Sequence, residues 1–394
     1  GQIPGDVEIL PTDVLASLQM AGGPRELGEV RDRLRVRQGD QLVRLQRVLE
    51  TECLVVELEI LSRSTWITGA EGRALVRRAT TSEEEGRERD KPGQEGLPGG
   101  SKTELRKMFS GFEPNKTIIK AIGAPATSKP WSYFRKLYVT PLRVDGGVKF
   151  WNEHTEWLEK ARIKYGGPEE IITSIIGVET IYGGYTGKFR VSDALYTLGF
   201  EVPRRSRFFQ GQFEHFLLLA RENDIDPSTV TGSFAGAMGI PQFMPSSYRQ
   251  YAVDFDGDGR VDLWNSVADA IGSVANYLSR FGWEPGEQVV LPAKVSADEP
   301  EKLKRLGVKP SLSIAEWGAR GVEVDGQVRE QVDAGFFSLE GESGPQYWVS
   351  FYNFYVITRY NRSNNYAMAV YQLAEKIADE RKSQQAALSR DDDA

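Results

Sequence analysis

One carboxylate in this sequence stands on a helix face that should carry only apolar side chains. The segment PEEIITSIIGVETIYGG begins at Pro168, which suits a first helical position, and two glutamates follow where the helix dipole is positive. Isoleucines at helical spacing predict the buried face of this helix (Ile171, Ile172, Ile175 and Ile176). Glu179 lies four residues after Ile175 and three after Ile176, so it continues the same face.

Burial would give Glu179 a specific chemistry. A carboxylate that loses its hydration disfavours its charged form, so its pKa rises. A raised pKa is what a general acid needs in order to hold its proton near neutral pH. The sequence therefore offers Glu179 as a candidate acid. On the helix alone, a glutamate paired with a buried arginine is the competing interpretation.

A second acidic motif, DFDGDGRVDLWN over residues 254–265, has the spacing of a calcium loop. Aspartates occupy positions 1, 3, 5 and 9 of an EF-hand-like pattern (Asp254, Asp256, Asp258 and Asp262). Gly259 stands at position 6, and Arg260 would contribute its backbone carbonyl at position 7. Position 12 carries Asn265 instead of glutamate, so the bidentate ligand is missing there. The pattern predicts bound Ca²⁺, and a solvated Asp/Gly turn is the alternative.

Composition argues against several other kinds of site. The 394 residues carry a formal net charge of -7, whereas a nucleic-acid-binding surface is normally basic. A single cysteine, Cys53, excludes an internal disulfide and a cysteine-rich zinc site. Only His154 and His215 could supply imidazole, which argues against a poly-histidine metal site. No apolar run approaches the roughly 18 to 20 residues of a membrane span. We therefore expect no nucleic acid, no membrane span and no organic cofactor.

The elements that must position these residues are predicted to be mainly helical. Amphipathic helices are expected at 148–166, 204–222, 267–281 and 365–382, with His154 packed or capping. Short β-like runs with turns lie between about 287 and 350. The basic residues of 1–100 are nearly all Arg, and this segment ends in a charged, then Gly/Pro-rich linker, Thr80–Ser101. We interpret residues 1–100 as a segment of separate origin or a mis-assigned gene start.

Four motifs follow one another beyond this linker. They are GVETIYGG (177–184), VPRRSRFF (202–209), GSFAGAMGIPQFMPSSY (232–248) and RYNRSNNYAMAVYQLA (359–374). In this order they resemble the membrane-bound lytic murein transglycosylase B family, and the resemblance covers roughly residues 102–382. It implies a mainly α (α+β) protein, with a lysozyme-like helical core, an additional helical segment and a small β-containing insertion.

Six regions are expected along the chain. They are the unmatched segment with its linker at 1–100, a helical segment at 101–166, the catalytic core with the calcium loop at 167–286, the β-containing insertion at 287–346, a return to the core at 347–385 and a disordered tail at 386–394.

The resemblance implies cleavage of peptidoglycan at the β-1,4 bond between N-acetylmuramic acid and N-acetylglucosamine. Glu179 would be the sole catalytic residue, acting as acid and then as base, and the product would carry a 1,6-anhydromuramoyl end. The implied substrate-binding residues are Arg204, Arg205, Ser233, Gln242, Tyr277, Tyr360, Asn361 and Tyr366. The arginines would meet the glycan and its peptide carboxylates, the tyrosine faces would stack on sugars, and the small residues after Ser233 would let the backbone approach a sugar.

The same resemblance also bears on one aromatic position and on a calcium site. Phe134 stands where the family usually carries a tyrosine, and Tyr133 lies beside it. One structural calcium ion is implied, and a later aspartate would complete its loop. Its expected ligands are Asp254, Asp256, Asp258, Arg260 and Asp269.

The sequence leaves other functions open. A muramidase would hydrolyse the same glycan with Asp193, Asp224 or Asp226 activating water, and a non-catalytic peptidoglycan-binding module would not need the intact GVET motif. The family implies a periplasmic or outer-membrane-associated protein, although this sequence shows no signal peptide or lipid-attachment motif. Peptidoglycan glycan strands are the expected partner, and proteins of cell-wall synthesis or lysis are a further hypothesis.

Overall fold

Helices precede and follow a small antiparallel sheet in the part of the chain that the computed structural model describes, residues 114–122, 129–203, 205–296 and 300–392. The expectations for residues 1–100 lie outside this part. The elements before the sheet are α1 Lys116–Ile122, α2 Trp131–Tyr138, α3 Pro141–Glu153, α4 Thr155–Tyr165, α5 Glu169–Thr180, β1 Phe189–Arg190, α6 Val191–Tyr196, a π-helix Thr197–Glu201, α7 Ser206–Glu222, β2 Thr231–Gly232, α8 Pro245–Tyr251 and α9 Val267–Arg280. The later ones are β3 Val290–Val295, α10 Pro300–Lys304, β4 Leu312–Ser313, α11 Ile314–Gly318, β5 Val322–Val324, β6 Asp333–Gly341, β7 Gly344–Ser350, α12 Tyr352–Tyr360 and α13 Asn364–Asp392.

The main hydrophobic core surrounds helix α5. Its predicted isoleucine stripe is buried and packs with apolar side chains of α2, α3, α9 and α13. The Ser174 hydroxyl on α5 donates to the Val370 carbonyl of α13 at 2.7 Å. The sequence places Pro168 at the first helical position of α5, but in the structure Pro168 is the N-cap and Glu169 begins the helix. These contacts fix the helix whose last turn carries Glu179.

A second core lies among α6, α7 and residues 230–243. Five of its members are phenylalanines of α7 and of the following loops (Phe209, Phe213, Phe216, Phe234 and Phe243). Helix α1 joins this core through the buried Ile118. The backbone N–H of Asn115 also donates to the Thr197 hydroxyl at 2.9 Å, which connects α1 to the π-helix.

Strands β3 to β7 form one antiparallel sheet with the order β4-β6-β7-β3-β5. Successive residues of a strand face opposite sides, so β6 contributes to two cores. Phe336 packs with Trp317 in a small core of the sheet itself. Its neighbour Phe337 stacks on Phe354 of α12, with ring centroids 4.7 Å apart, in the main core. The sheet is thereby attached to the helical part.

Two expected boundaries differ from the structure. The helix predicted over 148–166 is divided at His154, which ends α3 and precedes α4, and its ring lies 4.7 Å from that of Phe150. The disordered tail expected at 386–394 is instead helical as far as Asp392. Residues 386–390 are mostly Ala, Leu and Arg, which are good helix formers even when exposed. None of the described helices is both long and apolar enough to cross a membrane.

Candidate active site

Glu179 lies in the last turn of α5, where it is half-buried within a run of otherwise buried residues. The Tyr366 hydroxyl of α13 donates to Glu179 Oε1 at 2.7 Å. Burial raises the pKa of Glu179 to about 8, although the hydrogen bond from Tyr366 lowers it. The negative end of the helix dipole disfavours a charged carboxylate at this position as well. Glu179 therefore keeps its proton at neutral pH.

A sharp turn after α5 holds Glu179 in place. Ile181 and Tyr182 have left-handed backbone angles, with φ of 52° and 59°, so the chain leaves the helix at once. The Thr180 hydroxyl donates to the Ile240 carbonyl at 2.8 Å and accepts from the Gly183 N–H at 3.0 Å. Thr180 thus connects the end of α5 to the loop at 232–243. In the sequence, the only signal for Thr180 is its place beside Glu179 in the GVET motif.

Three of the expected cleft tyrosines form a packed row that ends at Glu179. The rings of Tyr277 and Tyr360 have centroids 4.8 Å apart, and those of Tyr360 and Tyr366 are parallel within 10° at 6.4 Å. The hydroxyls of Tyr277 and Tyr360 donate to the carbonyls of Arg359 and Pro241. Burial raises the pKa of all three, so each remains a hydrogen-bond donor.

The tyrosines of this row differ in how much of their surface is exposed. The side chain of Tyr366 is only 2% exposed and that of Tyr277 is also buried, so neither ring offers an open face. Tyr360 is half-buried and is the most accessible of the three. The row instead provides a rigid support that directs the Tyr366 hydroxyl at Glu179.

The small residues of the loop at 232–243 pack within the protein. A Cβ added at Gly236 would lie 2.4 Å from the Leu195 side chain, and one at Gly239 would lie 2.5 Å from the Leu263 carbonyl oxygen. The Ser233 hydroxyl accepts the Ala237 N–H at 2.9 Å and is buried. These glycines are therefore required by internal packing, which the sequence alone did not separate from close approach to a sugar.

The other expected binding residues are placed as follows. Gln242 has a φ of 50° and its amide nitrogen donates to the Thr186 and Gly239 carbonyls at 3.1 and 2.8 Å. Asn361 is buried and is the C-cap of α12. Arg205 precedes α7 with a φ of 66°. Arg204 lies outside the described residues.

Helix α2 resolves the pair of aromatic residues at 133 and 134. Phe134 is 1% exposed and stacks on Tyr138 in the main core, whereas Tyr133 is 39% exposed. The carbonyl of Lys129 near Tyr133 accepts from the Asn365 amide at 3.5 Å, next to Tyr366 in sequence. Tyr133 is therefore the solvent-exposed residue of this pair.

The calcium-loop aspartates converge in part. Carboxylate oxygens of Asp254, Asp256 and Asp269 lie within 4.8 Å of one another. Asp269 is buried at the start of α9, and burial raises its pKa. The Asn265 amide donates to Asp262 at 2.8 Å, so position 12 faces another loop residue. Three converging carboxylates are hard oxygen donors that suit Ca²⁺.

The remaining aspartates singled out from the sequence are engaged elsewhere. Asp193 pairs with Arg190 at 2.7 Å, and Asp226 accepts from the Ser228 N–H at 2.8 Å. Asp224 occupies a turn with a φ of 51°. Among the described residues, burial and Tyr366 account for the pKa shift of Glu179, and no second carboxylate contributes to it.

Comparisons with known proteins point to one family. The transglycosylase SLT domain matches residues 94–375. Membrane-bound lytic murein transglycosylase B of Escherichia coli K12 is 44% identical over 290 residues, which cover 71% of this chain and 79% of that protein. Soluble lytic transglycosylase SltB1 from Pseudomonas aeruginosa is 45% identical, with a TM-score of 0.69 over 79% of this chain and 99% of that one. Escherichia coli lytic transglycosylase Slt35 in complex with calcium is 39% identical, with a TM-score of 0.66 over 80% of this chain and 94% of that one.

The matched residues include α5 with its acid, the tyrosine row and the acidic loop. The fold, the Glu179 carboxyl with its raised pKa and the relatives agree on the kind of enzyme. The chain belongs to the transglycosylase SLT domain family, and it is a peptidoglycan lytic transglycosylase with a lysozyme-like helical core.

Proposed function

We propose that Glu179 alone carries the reaction, first as acid and then as base. As an acid it donates its proton to the glycosidic oxygen while the bond from that oxygen to C1 of the muramoyl residue breaks. As a carboxylate it then takes the proton of the C6 hydroxyl, and O6 forms a bond to C1. The 1,6-anhydro ring closes without water, and Glu179 regains its proton.

The observation that carries this proposal is the state of the Glu179 carboxyl. With a pKa of about 8 it holds a proton at neutral pH, as the first step requires. Because Tyr366 donates to Oε1, Oε2 is the oxygen that remains to carry the acidic proton. After the first step the same hydrogen bond stabilises the carboxylate that acts as base.

The single acid also favours ring closure over hydrolysis. Most glycosidases require two carboxyl groups, one of which activates water or attacks the sugar. Asp193 and Asp226 are already engaged by Arg190 and Ser228. A substrate that supplies its own C6 hydroxyl as nucleophile makes a second carboxylate unnecessary. These features support a transglycosylase mechanism over the muramidase alternative.

Product mass tests the reaction type. Digestion of purified sacculi should release muropeptides with anhydromuramoyl ends, which are lighter by one water than reducing-end products. Mass spectrometry distinguishes the two, and a muramidase digest of the same sacculi provides the reducing-end reference. Predominant reducing-end products from this enzyme would contradict the proposal and favour the muramidase.

We further propose that some cleft residues contact substrate and that others hold the cleft in shape. Arg204 and Arg205 would bind carboxylates of the glycan's peptides, since guanidinium groups suit bidentate carboxylate recognition. Tyr360 and Tyr133 are accessible enough to contact sugar. Ser233, Gln242, Asn361, Tyr277 and Tyr366 would shape the cleft mainly by holding its loops and the acid, as their internal hydrogen bonds and burial suggest.

We also propose one structural Ca²⁺ in the loop at 254–269. Asp254, Asp256 and Asp269 would supply converging carboxylates, with Asp258 and the Arg260 carbonyl as further expected ligands. The ion would offset the mutual repulsion of these carboxylates and stabilise the fold. It has no part in the chemistry, which Glu179 carries.

Calcium should raise the melting temperature. A ligand that binds only the folded state contributes about 2.7 kcal/mol at a hundredfold excess over its Kd. Melts with calcium and with chelator should therefore differ for the wild type, and Asp256→Asn should abolish that difference. Asp226→Asn, an exposed turn aspartate elsewhere, is the matched control and should keep it. Identical wild-type melts in the two conditions would leave the loop as a plain turn.

We infer that the enzyme acts in the periplasm or at the outer membrane, because its substrate lies outside the cytoplasmic membrane. Cell-wall synthesis or lysis proteins are the partner class this location would provide. Fractionation of cells that make the protein tests the inference, and confinement to the cytoplasm would contradict it.

A further inference from the structure

Phe208 is an exposed aromatic residue whose ring lies against the guanidinium of Arg205, a proposed substrate-binding residue. Phe208, in the first turn of α7, is 36% exposed. The Arg205 guanidinium carbon lies 4.5 Å from the centroid of its ring. A cation above the face of an aromatic ring at this distance is attracted by the ring's electrons. Phe208 is therefore part of the environment of Arg205 and not a scattered surface residue.

The neighbouring ring fixes this arrangement. Phe209 is buried in the second core, and its ring meets that of Phe208 edge-on, with centroids 5.1 Å apart at 79°. The Arg205 guanidinium carbon also lies 5.7 Å from the Phe209 centroid. A core residue thus orients Phe208, and the two rings together orient the guanidinium.

The backbone of Arg205 indicates that its position is specified. Its φ of 66° is left-handed, a conformation that costs a residue other than glycine roughly 1 to 2 kcal/mol. Such a conformation persists where the surrounding structure dictates it. The Phe209 N–H donates to the Arg205 carbonyl at 3.2 Å, which holds this backbone at the start of α7.

We infer that Phe208 is a positioning residue for recognition of the stem peptide of peptidoglycan. The cation–π contact fixes where the guanidinium lies. Guanidinium groups bind carboxylates in a bidentate manner. Stem peptides carry carboxylates, whereas the bare glycan backbone offers fewer. The inference rests on the proposed role of Arg205 and adds that Phe208 sets its affinity.

The test compares soluble glycan strands that carry stem peptides with strands from which an amidase has removed them. Phe208→Leu keeps apolar volume but removes the aromatic face. It should raise KM on peptide-bearing strands about two- to fivefold with kcat unchanged, the factor for an exposed cation–π contact of roughly 0.5–1 kcal/mol. Phe208→Tyr should restore the wild-type KM. Ile163→Ala, an exposed apolar residue on α4, is the control for removing surface apolar area and should change neither constant.

A double-mutant comparison with Arg205→Ala separates the possible failures. If Phe208 acts through Arg205, Phe208→Leu has no further effect once Arg205 is alanine. A KM rise of equal size on both substrates, or one that persists with Arg205→Ala, would show that Phe208 does not act through recognition of the stem peptide by Arg205. Either result would overturn the inference. If Arg205→Ala raises KM and Phe208→Leu does not, the inference alone fails. If Arg205→Ala has no effect, the proposed role of Arg205 fails with it, while the role of Glu179 is unaffected.

Discussion

Replacing Glu179 by glutamine should reduce glycan cleavage by at least about 10²- to 10⁴-fold, the usual cost of removing one positioned acid or base. The loss should be larger if the group acts in both steps, because the amide can neither donate the first proton nor accept the second. Release of anhydro-muropeptides, followed by mass spectrometry, measures it. Wild-type rates from this variant would make the assignment of Glu179 wrong.

Melting temperatures measured across pH show whether Glu179→Gln is folded and how the Glu179 carboxyl affects the stability of the fold. The folded pKa is about 8 and the ordinary value is 4.5, so between these values the folded state binds more protons than the unfolded state. Wild-type stability therefore falls as pH rises through this window. Glutamine does not titrate, so Glu179→Gln lacks this pH-dependent contribution to stability. Its melting temperature should therefore rise relative to that of the wild type from about pH 4.5 to pH 8. A difference independent of pH would contradict the raised pKa.

Tyr366→Phe should change both the rate and its pH dependence. In the wild type, kcat/KM on soluble glycan should fall as pH rises through about 8, because the free enzyme must hold its proton. Tyr366 lowers the pKa of Glu179, so its removal raises that pKa and moves the fall to higher pH. The plateau should drop about tenfold or more, since a hydrogen bond to a charged group contributes roughly 1.5–3 kcal/mol.

A second tyrosine provides the matched control for this variant. The Tyr248 hydroxyl donates to the Val261 carbonyl at 2.5 Å and is likewise largely buried, but it does not contact Glu179. Tyr248→Phe should lower the melting temperature and leave the pH at which kcat/KM falls unchanged. If Tyr366→Phe behaved in the same way, the Tyr366 hydroxyl would be structural only.

The sequence predicts the position of Glu179 on its helix well because the relevant signal is local. Glu179 continues an isoleucine stripe within one helix, and helical spacing alone places it on the buried face. The mainly helical fold and the β-containing segment are also predictable, since periodicity and turn composition are properties of short windows. The family motifs add the identity of the reaction.

The partner of the acid is not predictable in this way. Tyr366 lies 187 residues from Glu179, and its hydroxyl is aimed by the docking of α13 on α5. The motif that contains Tyr366 indicated a cleft position but not that the ring would be buried. Phe134 and Tyr133 pose a similar problem, because only the packing of α2 decides which of them faces the core.

The calcium loop shows the limit of motif spacing. Position 12 carries Asn265 instead of glutamate, and the convergence of Asp269 with Asp254 and Asp256 depends on where α9 begins. Ser266 caps that helix through the Asp269 N–H at 3.1 Å, which brings Asp269 beside the loop. Ser266 thus sets both the start of α9 and the position of Asp269. A pattern of residue types does not contain that geometry.

The long sequence separation between Glu179 and Tyr366 has a consequence for folding. Contacts between residues far apart in sequence require a large loop closure and tend to form late. Helix α5 can form early from its own residues, but its acid is oriented only when α13 has docked across the core. Catalytic competence is therefore among the last properties the folding chain acquires. For an enzyme that cleaves peptidoglycan, this order of assembly delays cleavage until the fold is complete.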